Sequence, residues 1–295
     1  MLRIAFLACP DTLPGSPTRR PDAFEHDLLF DALNAGLAGR AGLMGVDWRA
    51  PLDELAGFDL AYLGTPWDYT EAKDEFLERL AALEEAGVTV CNPVEVIRWN
   101  SDKLYLRELD EGGAVSIPTL WPDQAGPAEV LAAFDHFGCD RVVVKRRVGA
   151  GAIGQDSFTR ESPPPPGWRI DQPAMIQPFL PAIQSEGELS FIFVSGRLSH
   201  ALVKQAAAGD YRIQSLYGGR EVPLTPAPAD RAAAEAVMAL LPFDQAPLYA
   251  RIDMVRLDSG DLAVIEAELI EPYLYPEQGP EFGSLLADAM LGRLG

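Results

Sequence analysis

The stretch VIEAELIEP, residues 264–272, sets two carboxylates two positions apart. In a strand, side chains alternate between faces, so Glu266 and Glu268 share one face and Ile265, Ala267 and Leu269 the other. Like charges this close repel and raise each other's pKa unless solvent or a cation relieves them. Two readings are open here: the wet face of an edge strand, or a cation-binding surface. A second strand-like run, LYARIDMVRL, comes just before, separated by the turn sequence DSGD. Pairing across that turn would bring Asp253 to the same patch as the two glutamates. Three carboxylates are more than a wet face explains, and magnesium, held by a few carboxylates together with substrate phosphates, suits such a patch.

Phosphates need donors, and VVVKRRVGAGAIG (142–154) offers them. Gly149, Gly151 and Gly154 match GxGxxG, but a dinucleotide fingerprint needs a helix opening at the glycines, and QDSFTRESPPPP follows instead. A P-loop is excluded because Lys145 precedes the glycines and no GK[ST] is present. What remains is a strand-borne cation followed by a glycine loop whose backbone N–H groups can face phosphates. Only four of the 24 basic residues are lysine: Lys73, Lys103, Lys145 and Lys204. Against that arginine-rich background a compact ammonium on a flexible stem suits phosphate contact at Lys103 and Lys145. Lys73, within EAKDE, reads as a solvated charge on an exposed helix face.

The elements that would position these residues follow from periodicity. Residues 1–95 alternate strand-like and helix-like runs (LRIAFLAC, DAFEHDLLFDALNAGLA, GLMGVDW, FDLAYLGTP, EAKDEFLERLAALEEAG, VTVCN), which predicts a parallel sheet covered by helices. Phe76, Leu77, Leu80 and Leu83 form the core stripe of the last of these helices, and Gly87 ends it. The run PVEVIRWNSDKLYLRELDEGG reads as one helix, AEVLAAFDHFG as another, and RVVVKRR as a strand. PPPP at 163–166 marks a surface connection. ELSFIFV and RLSHALVKQ read as strands, and PADRAAAEAVMALL as a helix before the acidic hairpin.

Composition narrows the function class. The 295 residues are 48% hydrophobic, ample for a core and enough for about two domains. A formal net charge of −20 argues against nucleic acid or an anionic membrane as partner. No apolar run is long enough to span a bilayer. Cys9, Cys91 and Cys139 form no CxxC pair, so neither a disulfide framework nor a local zinc site is indicated, and a reducing cytoplasm fits.

Taken in order, TPWDY (65–69), NSDKLYL (100–106), VVVKRRVGAG (142–151), IQPFLPAIQSEGELSF (176–191), SHALVK (199–204), GDYRIQSLYGG (209–219), YARIDMV (249–255) and IEAELIEP (265–272) resemble the ATP-grasp superfamily. The likeness is to its glutathione-synthetase-like group, which includes the ligases that close O-ureido-D-serine to D-cycloserine. The resemblance implies an α/β ATP-grasp fold: an N-terminal parallel domain over 1–98, a lid region over 99–180 and a C-terminal catalytic domain over 181–295. It implies ATP and magnesium as cofactors, with Lys103 and Lys145 on the ATP phosphates and Gly149 and Gly151 in the flap. Backbone groups of Gln177, Pro178 and Phe179 would meet adenine, Glu188 the ribose, and Asp253, Glu266 and Glu268 the magnesium. Arg212 would face the reacting acyl group with help from Lys204, while Arg251 would either neutralise the metal carboxylates or meet the γ-phosphate. Two positions depart from the pattern: Glu268 stands where asparagine is common, and Arg146 where proline is frequent. The implied activity is ADP-forming carboxylate–amine ligation of a small amino-acid-like substrate, with cyclisation within one molecule as the first reading; intermolecular peptide or glutathione-type ligation, a phosphotransferase and a non-catalytic ATP-binding regulator are the alternatives. Trp67, Asp68 and Tyr69, after a predicted strand, are candidate contacts to the acyl substrate or else simple packing. Relatives of this kind often form homodimers.

Overall fold

The computed structural model describes residues 1–149, 154–205 and 219–295. Strands β1 (Leu2–Ala8), β2 (Ala41–Asp47), β3 (Leu60–Thr65) and β4 (Thr89–Cys91) form a parallel sheet in the order β2-β1-β3-β4. Helices α1 (Phe24–Leu37), α2 (Leu52–Leu55) and α3 (Lys73–Glu85) connect them, with a 3-10 turn at Trp67–Glu71. The alternation of the first 95 residues therefore folds as its pattern predicts. Phe76, Leu80 and Leu83 are fully buried and Leu77 packs at the margin of the same core. Lys73 opens α3 half-buried rather than fully solvated.

The run expected as one helix is two: α4 (Val94–Asn100) and α5 (Tyr105–Glu111). The chain turns between them because Asp102 captures Leu104 N–H at 3.0 Å and two nitrogens of Arg147, which no continuous helix permits. Helix α6 (Pro127–Phe137) then covers a small antiparallel sheet of β5 (Arg141–Arg146), β6 (Asp156–Thr159) and β7 (Ala174–Pro178), in the order β6-β5-β7. Although α5 lies in the stretch expected as lid, its Leu106 and Leu109 share a core with Phe191 and Met254 of the catalytic sheet.

That sheet follows the short α7 (Ala182–Ser185) and consists of β8 (Glu188–Val194), β9 (Arg197–Gln205), β10 (Arg220–Leu224), β11 (Tyr249–Arg256) and β12 (Leu262–Glu268), all antiparallel in the order β10-β9-β8-β11-β12. Helix α8 (Pro228–Ala239) packs on its outer face. Helix α9 (Phe282–Gly292) returns to the first sheet, where Phe282, Leu286 and Met290 join Ile4, Phe6 and Leu29 in one core. The approach of α9 to α1 is so close that a methyl group at Gly36 would run into the Gly283 carbonyl.

Candidate functional site

Register places the charged residues on one face of the catalytic sheet. Across the DSGD turn Asp253 pairs with Glu266 and Arg251 with Glu268, while β8 sets Ser190 opposite Asp253 and β9 sets Lys204 opposite Glu188. Period-two alternation then sends these seven side chains one way and Leu189, Phe191, Ile252 and Met254 the other, into the core beneath α8. Gly187, at φ +102°, lets β8 begin hard against β9, where any side chain would strike the Lys204 carbonyl.

The charges on this face are mutually satisfied. Lys204 Nζ pairs with Glu188 and lies 3.1 Å from Asp253 Oδ2. Arg251 Nε meets Asp253 Oδ2 at 3.0 Å, its Nη2 pairs with Glu268 and its Nη1 donates to Tyr273 O at 2.9 Å. These contacts pair Arg251 with two of the carboxylates, as the first of its two expected roles requires. Ser190 Oγ donates to Asp253 Oδ1 at 2.5 Å. Burial would raise Asp253, but Arg251 and Lys204 outweigh it and hold the carboxyl below its ordinary range. Burial would also lower Lys204, yet Asp253 and Glu188 hold it above the usual lysine value. For Glu188 burial wins over Lys204 and pushes the carboxyl up to about 7, so it is a buried, paired acid rather than an exposed loop residue. Glu268 is likewise pushed up to about 7, by burial and by its neighbours Glu266 and Asp253.

The two lysines expected at phosphate differ. Lys103, in the turn between α4 and α5, reaches Glu266 Oε1 at 2.8 Å and Gly149 O at 2.7 Å, and Glu266 holds it above its ordinary value against burial. Asp102 fixes that turn to the stem of the glycine loop through Arg147, and Lys103 N–H donates to Arg147 O at 2.9 Å. Lys145, on β5, has neither ion pair nor hydrogen-bonded partner for its ammonium among the described residues, and desolvation lowers its pKa. An ammonium left this way is ready for an incoming anion.

Other expectations fare unevenly. Gln177 and Pro178 end β7, opposite Val143 and Val142, and just past the strand the Phe179 N–H is donated to Arg141 O at 2.9 Å. Asp68 accepts from Trp48 Nε1 at 2.7 Å and pairs with Arg49, so it braces its own domain; Trp67 lies under the Arg20 guanidinium. Tyr69 is buried against Phe76, yet its hydroxyl is within electrostatic reach of Glu271, Glu268 and Glu266. Gly151 and Arg212 lie outside the described residues. Three residues were missed by sequence reasoning. Ser190 could have been found two positions after Glu188 on the same face, and Glu271, pushed up to about 8 by burial and Glu268, stands in the IEAELIEP motif itself. Glu25, in the first turn of α1, is pushed up to about 7 by burial while Arg251 draws it down; an acid there resembles any helix-start acid.

Comparison with known proteins supplies the architecture's name. Solved structures of ligases superimpose over essentially the whole chain: D-cycloserine synthetase DcsG (TM-score 0.81, 22% identity, covering 99% of this chain and 100% of that one) and the D-alanine–D-alanine ligase of Bacillus anthracis with ATP (0.70, 15%, 100% and 97%). The fold is ATP-grasp. The ATP-grasp ligase PsnB, solved with magnesium and ADP, also aligns (0.66, 16%, 99% and 98%). Residues 4–92 match the family model of the D-cycloserine synthetase DcsG N-terminal domain. The cycloserine biosynthesis protein DcsG of Streptomyces lavendulae is 27% identical over 267 residues, spanning 83% of this chain and 87% of that protein. The chain thus resembles the D-cycloserine synthetases within the ATP-grasp ligases, in agreement with the activity class expected from the sequence.

Whether the residues present fit magnesium turns on their chemistry. No three acid, histidine or cysteine side chains surround a common metal position among the described residues, so the expected convergence of Asp253, Glu266 and Glu268 is not preformed. Asp253 is taken up by Ser190, Arg251 and Lys204. Glu266 and Glu268 fit by chemistry: they are hard oxygen donors two residues apart on one face, paired with Lys103 and Arg251 respectively. No described helix is long and apolar enough to cross a membrane.

Proposed function

We propose that this ATP-grasp protein is an ADP-forming ligase that activates the carboxylate of a small amino-acid-like molecule as an acyl phosphate and joins it to a nitrogen nucleophile, in the manner of D-cycloserine ring closure. The observation that carries this reading is Lys145 on β5, whose ammonium has no ion-pair or hydrogen-bond partner among the described residues yet is within electrostatic reach of Glu266. ATP and magnesium would supply the transferable phosphoryl group and the charge that draws it away. Lys145 and Lys103 bind phosphate oxygens, Gly149 and Gly151 close over them, and Glu188 meets the ribose once Lys204 shifts toward the anion. Glu266 and Glu268 hold the cation, with Asp253 kept ionised beside them by Arg251 and Lys204. Arg212 holds the acyl group by its fixed fork. Glu25, within electrostatic reach of Arg251 and Glu268, would take the ammonium of an amino-acid substrate. The three free cysteines fit a reducing cytoplasm, and the relatives' habit of dimerising extends here as a proposal.

The test is ADP release from purified protein with Mg-ATP and either O-ureidoserine or pooled amino acids, products being read by mass spectrometry. ADP together with a dehydrated or joined product is expected, and Glu266→Gln should abolish both while circular dichroism stays unchanged. Tight Mg-ATP binding with no ADP under any substrate would turn the reading to a regulator.

A further inference from the structure

Among the described residues β12 is the last strand of its sheet, so one row of its backbone groups has no neighbouring strand there. Near its start a parallel bridge to Ser116 covers that row, with Val264 N–H donated to Val115 O at 2.9 Å. Further along, side chains take over. Asn100 Nδ2 donates to Ala267 O at 2.7 Å while its Oδ1 accepts Leu269 N–H at 2.8 Å. Tyr105 Oη accepts Ala267 N–H at 3.1 Å, and Asn92 Nδ2 donates to Leu269 O at 2.7 Å. Binding the C=O of one residue and the N–H of the residue two further on is how a parallel strand engages its neighbour, opposite the residue between them. That residue is Glu268. All three side chains are buried, so water does not stand ready to replace them.

We propose that Asn100, with Tyr105 and Asn92, is a surrogate strand that fixes the pitch of β12 and thereby the directions in which Glu266 and Glu268 present their carboxylates to a divalent cation. These are positioning residues, and the cation half of the proposal rests on the ligase reading. Ala267, between the two glutamates, is held at both its N–H and its C=O, so the backbone that carries them cannot turn without breaking a buried hydrogen bond. The same few residues carry Lys103 to Glu266, so one turn both grips the strand edge and neutralises its first carboxylate. NSDKLYL thus has a second use beyond its lysine: the amide three residues before it and the phenol two after it are the grip.

The experiment compares the parent with Asn100→Ala and with Tyr105→Phe, which removes a single hydroxyl and carries the test alone if the first variant does not fold. Hydrogen exchange of the Ala267 and Leu269 amides is followed in ligand-free protein, and Mn2+ affinity by electron paramagnetic resonance with a non-hydrolysable ATP analogue. Asn100→Ala should speed Leu269 exchange selectively and weaken Mn2+ binding about tenfold, the usual scale for groups that orient metal ligands, with analogue affinity in the absence of metal unchanged. Tyr105→Phe should speed Ala267 exchange and weaken Mn2+ about two- to threefold. Fast exchange with parental Mn2+ affinity would make the grip structural only and overturn the proposal, as would unchanged exchange. ADP release by the parent is read separately: its absence would count against the ligase reading, while amide exchange still decides the grip.

Discussion

On the catalytic sheet Lys204 touches Glu188 and Asp253, and Arg251 touches Asp253, Glu268 and the Tyr273 carbonyl. On the small sheet, Lys145 rises from β5 with hydrophobic neighbours Val142 and Val144 beneath it and no partner for its ammonium among the described residues. Both ammonium groups are desolvated; only one is compensated. The contrast separates scaffold from receptor: a paired buried charge costs stability when its partner goes, whereas an unpaired one costs stability by being there. Charges of the first kind hold carboxylates in place before anything binds, and on the proposed ligase reading those of the second wait for phosphate to complete them.

Substitutions at the two lysines test this division most strongly. Lys204→Met leaves Glu188 and Asp253 uncompensated and should lose both ADP formation and about 3–5 kcal/mol of stability, read by urea unfolding. Lys145→Met should lower ADP formation about 100- to 1000-fold, the scale for removing a group aimed at developing charge, with a melting temperature equal to or above the parent's. Equal destabilisation by the two would erase the distinction. A smaller effect comes from a site without charge: Gly36→Ala forces α1 away from α9 and should cost about 1–3 kcal/mol while leaving the Mg2+ dependence of the reaction as it was. The smallest concerns His200 on β9, a half-buried group of the catalytic sheet satisfied without an ion pair. Its Nε2 lies 3.1 Å from Leu274 O, and burial lowers its pKa to about 4. Because the folded state binds this proton less readily than the unfolded chain, its stabilising contribution is complete above about pH 6.5 and drains away as the pH falls toward 4. Thermal melts between pH 7 and 4.5 should fall less steeply for His200→Asn than for the parent.

Much of the first domain could be read from periodicity, since each strand and helix there is built from residues whose spacing serves its own burial. The acidic hairpin could be read for the same reason: alternation puts Glu266 and Glu268 on one face whatever surrounds them. The break between α4 and α5 could not. Helical spacing persists through NSDKLYL with no proline or glycine to interrupt it, and what ends α4 is Asp102 answering Arg147, 45 residues away. Pairing of Asp253, Glu266 and Glu268 with Lys204, Arg251 and Lys103 was hidden likewise, because it depends on which strands become neighbours. Helix α9 and strand β6 went unread; one is placed by a groove on α1 and the other by pairing with β5, neither written into its own segment.

The return of α9 to the first sheet also bears on the order in which the molecule can be made. Leu29 and Leu33 of α1 share their core with Phe282, Leu286 and Met290, which a ribosome adds some 250 residues later. During synthesis, then, the opening domain has its strands early but a bare apolar helix face until the final helix emerges, and chaperone capture of nascent chains should concentrate on that interval.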